Sequence, residues 1–124
     1  MLLTSSAVAS AAELIGDADN GRAVYTDMDR GHCALCHQLP VLNLNFEGNI
    51  GPNLGAVGAR LSTAELRARI INPQRSNPDT IMPAYHRIEG LRQVQSKYQG
   101  QPILTLQEIE DLVAFLAQQQ GSAP

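Results

Sequence analysis

Hydrophobic positions recur at helical spacing most clearly near the C-terminal end of the chain. In "TLQEIEDLVAFLAQQQ", Leu106, Ile109, Leu112, Val113 and Leu116 fall on one face of a helix. Thr105, with Glu108 three residues later, forms a capping-box signature at its start. A second signature, Ser62 with Glu65, opens "LSTAELRARII", where Leu66 and Ile70 lie four apart and Asn72-Pro73 ends the run. Nearer the beginning, residues 17–29, "DADNGRAVYTDMD", place helix-starting carboxylates ahead of Ala23, Val24 and Tyr25. This predicts a short first helix that stops before Gly31. Gly21 and Tyr25, four apart, share one face of it.

Between these helices the pattern dissolves. Residues 38–58 are punctuated by Pro40, Gly48, Gly51, Pro52, Gly55 and Gly58, and residues 72–104 by Pro73, Pro78, Pro83 and Pro102. The second stretch leaves room for one helical turn around Glu89–Val94. No alternating strand pattern and no repeat is present. The expected fold is therefore all-α, with three to four helices joined by loops longer than a domain of 124 residues normally tolerates. Something besides secondary structure must organise those loops. Aromatics make up only 4% and tryptophan is absent, so a bulky apolar cofactor would help to fill the centre.

Charge narrows the function classes. The net charge is −3, and Lys97 is the only lysine among nine Lys and Arg, which excludes a basic nucleic-acid stripe and a lysine docking ring. No stretch approaches the roughly 20 apolar residues of a membrane span. Residues 1–16 are read as an N-terminal extension, 17–120 as the folded domain and 121–124 as a tail. The extension, "MLLTSSAVASAAE", has an A-x-A pattern at Ala9-Ser10-Ala11 and resembles the end of a secretory signal without its basic region. It points to export, or to a segment that packs against a partner.

The chemistry is concentrated in "GHCALCHQLP". Cys33-Ala34-Leu35-Cys36-His37 holds both cysteines of the chain and fits the attachment pattern for haem c. Two thiols one turn apart can each add across a vinyl group, and the next imidazole then faces the iron from the same side. A zinc site would need further ligands at matching spacing, which the chain does not offer. A thioredoxin-type pair would need a βαβ setting. A disulfide across so short a loop gains little chain entropy. One covalent haem is the reading that remains, and with it a periplasmic location.

His37 is expected to bind iron through Nε2, with Nδ1 oriented by an acceptor. Pro52, in "GNIGPNLGAVG", offers its carbonyl from a glycine-flanked loop, although Gly-Pro-Asn also reads as a plain turn. For the sixth ligand the favoured residue is Met82 in "DTIMPAYH", a soft thioether in proline-braced loop. His86 is the rival, which would give a bis-histidine haem; its bland reading is an exposed loop histidine. Met28 reads as core filler. An iron with both axial positions filled transfers electrons and has no open site for substrate. A catalytic monohaem enzyme such as a peroxidase would need one.

CxxCH after a first helix, then G-P-N-L-G, then I-M-P and an amphipathic last helix resembles a class I cytochrome c over about residues 17–120. The resemblance implies one covalent haem wrapped by long loops and packed N- and C-terminal helices, with Gly21 and Tyr25 meeting Phe115. "NPDTIMPAY" and "PILTLQEIED" narrow it to the SoxX family, the smaller subunits of SoxAX cytochromes. That implies a heterodimer with a SoxA-type cytochrome, acting on the SoxYZ carrier and passing electrons to a downstream acceptor. This chain would be the electron-transfer subunit of an L-cysteine S-thiosulfotransferase, with no catalytic residue of its own. The other reading is a free-standing cytochrome c that shuttles electrons to an oxidase. The apolar run Leu39, Val41, Leu42, Leu44 and Phe46 either covers the haem edge or meets the partner.

Overall fold

A computed structural model describes residues 14–88 and 100–121. The N-terminal run through residue 13, the helical turn expected at Glu89–Val94 and residues 122–124 lie outside the described residues. The described chain contains helices α1 (Ala18–Thr26), α2 (Val57–Arg60), α3 (Thr63–Ile71) and α4 (Leu106–Ala117). Short 3-10 turns cover Cys33–Leu35, Pro40–Leu42 and Pro73–Arg75. No strand occurs among the described residues, and no helix there is long and apolar enough to cross a membrane.

Both capping boxes form. The Glu65 N–H donates to Ser62 Oγ at 3.1 Å, and the Ser62 N–H donates back to Glu65 Oε1 at 3.2 Å. Thr105 and Glu108 repeat the exchange at 3.1 and 3.0 Å. These bonds satisfy amide donors that a helix start otherwise leaves without partners.

α1 crosses α4 at close range, and Gly21 sets the distance. A Cβ at Gly21 would overlap the carbonyl oxygen of Asp111 and press on the Phe115 Cβ. Beside it the rings of Tyr25 and Phe115 meet edge to face, centroids 5.9 Å apart. Val24, Tyr25, Ile109 and Leu112 are almost wholly buried there, with Leu66 and Ile70 of α3 closing the core from the side.

Two buried carboxylates on α4 serve as tie points. Asp111 Oδ1 accepts from the Asp17 N–H (2.8 Å) and the Gln107 amide (2.9 Å), and Oδ2 accepts from Asn20 (2.7 Å). Burial alone pushes the Asp111 carboxyl up, but the three donors outweigh it and hold it below its ordinary value of 3.8. Glu110 is gripped by Arg67 of α3, whose Nε and Nη2 lie 2.6–2.9 Å from its oxygens.

A carboxylate whose folded pKa is lowered stabilises the fold above its unfolded value, and that stability is lost as pH falls through the folded one. Asp111→Asn keeps the shape but turns an amide donor toward a donor. It is expected to cost roughly 2 kcal/mol at neutral pH. In denaturant titrations the gap to the unaltered protein should begin to narrow near pH 3.8, the ordinary value, and close only once pH has fallen through the lower folded one.

Three sequence expectations need correction. The first helix ends at Thr26, where residues 27–30 turn away through Arg30 N–H to Asp27 O. Met28 therefore leaves the apolar face and is 76% exposed rather than core. The loop reading of 38–58 missed both the Pro40–Leu42 turn and α2. These are three- and four-residue pieces, too short to show a period. His86 is half-buried, not an exposed loop histidine, because its Nδ1 lies 2.9 Å from the Leu104 carbonyl.

Candidate haem site

The attachment turn is held from both sides. His32 enters it in the left-handed region (φ 45°), and the His37 N–H closes back on Cys33 O at 2.9 Å. Its entry is pinned to the core, since Tyr85 Oη donates to Gly31 O at 2.6 Å and the Gly31 N–H donates to Val24 O at 3.1 Å. Residues 48–54 are then laid along 34–38 by three backbone hydrogen bonds. They run from Gly48 to Ala34 O, Gly51 to Cys36 O and Leu54 to Gln38 O, at 2.7–2.8 Å.

That pairing fixes the histidine. His37 Nδ1 lies 2.7 Å from Pro52 O. A carbonyl only accepts, so Nδ1 carries the proton and Nε2 is left with its lone pair for a metal. The ring lies flat against Gly51, where any Cβ would overlap it. Glycine is required at this position for close approach, and the sequence shows the reason only once His37 is seen against it.

Around this turn opens a cleft of about 310 Å³, a size suited to an organic cofactor and far larger than a metal ion needs. Cys33, Cys36, His37, Pro52 and Met82 all line it. The structure thus brings the five sequence-predicted residues to one cavity, whereas His86 is not in its wall. Leu54, Val57, Leu66 and Ile70 supply an apolar lining from α2, α3 and the preceding loop. Sequence reasoning missed Tyr85, which also lines the cleft and braces Gly31. Its one signal was an aromatic three residues after Met82 in a chain with few aromatics.

Cys33 and Cys36 are not joined to each other in a disulfide. Burial, partly offset by a backbone hydrogen bond, pushes the Cys33 thiol up to about 12. Burial likewise raises the Tyr85 hydroxyl, with the two cysteines adding to the effect. Among the described residues no three of His, Cys, Asp and Glu gather in a way that could hold a metal ion, which leaves the zinc reading without a ligand set.

Two thiols beside an oriented imidazole, on an apolar cleft with a thioether in its wall, suit a porphyrin attached through sulfur. The family model for Cytochrome c matches residues 18–120, and the chain belongs to that family. The family carries covalently bound haem c, and the cradle of Gly51, His37 and the two cysteines fits it. Within the family the chain is a class I cytochrome of the SoxX type. It is similar to a chain in the crystal structure of SoxXA from P. pantotrophus, at 32% identity and a TM-score of 0.79. The match covers 86% of this chain and 83% of that one. No curated protein matches the chain by sequence.

Proposed function

We propose that this chain is the electron-transfer subunit of a periplasmic SoxAX-type complex, with His37 and Met82 as the two axial ligands of its haem. The carrying observation is the similarity to a SoxXA chain over most of both lengths. In such a complex a carrier thiol on SoxYZ and thiosulfate join through a new sulfur–sulfur bond. The coupling releases two electrons and the thiol proton. Haem bound in this cleft supplies a one-electron ferric/ferrous couple, so the two electrons leave one at a time toward a downstream acceptor.

The chain's own residues match that division of labour. Pro52 O orients His37 through Nδ1, and Met82 and the apolar wall line the same cleft, where Met82 would supply the second ligand and the wall would limit access of water. Cys33 and Cys36 are its only thiols, so after thioether formation none remains for sulfur chemistry. That step falls to the SoxA-type partner.

The loop after the CxxCH supports a partner rather than a free-standing shuttle. Leu39 and Leu42 turn into the core, while Val41 and Phe46 are 61% and 91% exposed and take no part in the cleft wall. Apolar side chains held outward in this way mark a contact surface. Tagged holoprotein passed through periplasmic extract of thiosulfate-grown cells is expected to retain one haem-bearing second subunit in equal amount. Phe46→Asp should release that subunit and leave the haem spectrum unchanged. Recovery of a redox-active monomer by the unaltered protein would move the reading to the free shuttle.

A further inference from the structure

The segment that carries Met82 forms part of the cleft wall, with Ile81 and Pro83 beside the proposed ligand. Residues 75–79 are exposed, and Ile81, next to the proposed ligand, is 76% exposed. Ile81, Met82 and Pro83 face the cleft and can pack on what it holds, while the rest of the loop is tied by polar contacts. Its far end is stitched to α3, since the Tyr85 N–H donates to Ile70 O at 3.0 Å. The tip, from Ser76 to Thr80, depends on polar contacts.

One side chain supplies the bonds that cross from the near side of the loop to the far side. Gln74 sits in the 3-10 turn Pro73–Arg75, where Pro73 is buried and fixes the backbone. Its side-chain amide donates to Met82 O at 2.8 Å and to Thr80 O at 3.3 Å. The amide has one correct orientation. Arg87 Nη2 donates to Gln74 Oε1 at 3.3 Å, and Arg87 Nε donates to Asn72 Oδ1 at 3.0 Å. Because Arg87 can only donate, it turns the oxygen of Gln74 toward itself and the NH₂ group toward the two carbonyls. The Met82 N–H in turn donates to Thr80 Oγ1 at 3.3 Å, so Met82 is held at both its amide and its carbonyl.

We propose that Gln74 is a positioning residue that clamps the Met82 loop shut over the haem cleft, with Arg87 and Asn72 setting the direction of the clamp. The inference rests on Met82 as the iron's sulfur ligand. Its consequence is kinetic. An external ligand reaches the iron on that side only when the thioether swings away, and the loop tip must open for that to happen. The Gln74 amide sets how often it opens.

The test uses the ferric holoprotein with cyanide as the probe, followed by the rate of spectral change at saturating cyanide. Gln74→Ala should bind cyanide roughly thirtyfold faster, the factor expected from losing two hydrogen bonds of ordinary net strength. Gln74→Glu has nearly the same shape and still suits Arg87, but it cannot donate to the carbonyls, and it should match the alanine variant. Both should keep the sulfur-to-iron band at rest. Asp111→Asn, which weakens the distant α1–α4 tie, should lower the unfolding midpoint and leave the cyanide rate near that of the unaltered protein.

The clamp is overturned if either Gln74 variant binds cyanide at the unaltered rate, or if Asp111→Asn accelerates binding as much. If instead the unaltered ferric protein lacks the sulfur band, the ligand assignment has failed, a result separate from the clamp.

Discussion

Gly21→Ala is expected to be among the most damaging single-methyl changes in this protein. The added Cβ meets the Asp111 carbonyl oxygen, which is backbone and cannot rotate away, and behind it stands the Phe115 Cβ. Relief requires α1 and α4 to separate. That opens the Tyr25–Phe115 contact and stretches the two hydrogen bonds that reach Asp111 from Asp17 and Asn20. The expected cost is ~3 kcal/mol, at the upper end for overpacking, since the clash is with main chain. Thermal unfolding followed by far-ultraviolet dichroism should show a midpoint lower by about 10 °C. Trimming Phe115 to alanine in the same chain should not restore it. An unchanged midpoint would mean that the helices do not cross at Gly21.

Met82→Ala should leave the fold in place and change what the iron can do. Met82 is only partly buried at the edge of the core, so its loss removes modest packing. The ferric holoprotein is expected to lose its weak near-infrared sulfur-to-iron band, bind cyanide promptly and show a lower reduction potential. Persistence of the band would require another sulfur. Met28 is exposed and does not line the cleft, so survival of the band would overturn the His37/Met82 assignment. Together with the Gln74 variants this separates two roles. Met82 determines whether the position is filled, and Gln74 determines how long it stays filled.

The sequence made the covalent site legible because its chemistry is contiguous. Cys33, Cys36 and His37 are neighbours along the chain, and the spacing itself states the function. The long helices were legible for a related reason: Thr105/Glu108 and Ser62/Glu65 announce their own starts, and α4 repeats its apolar face for three turns. The Gly21–Tyr25–Phe115 crossing was accessible only through family resemblance, since nothing local ties residue 21 to residue 115.

What stayed hidden depends on partners distant in sequence or on pieces too short to show a period. α2 is four residues without a side-chain cap. Gln74 is an ordinary loop glutamine until Arg87, thirteen residues later, fixes its orientation. Met28 illustrates the reverse failure, because residue type alone suggested burial while the helix carrying that face had already ended at Thr26.

The bond from Asp17 to Asp111 joins residues 94 apart in sequence. A fold closed by its first and last helices relies on contacts between the two ends of the chain, and its core cannot be completed until α4 is available. Cys33 and Cys36 come much earlier in the chain, and both stay half-buried in the wall of the cleft. Synthesis from the N-terminal end therefore makes the two thiols before the cleft that they line is complete. The wall of that cleft is finished only when the final helix brings in Leu116.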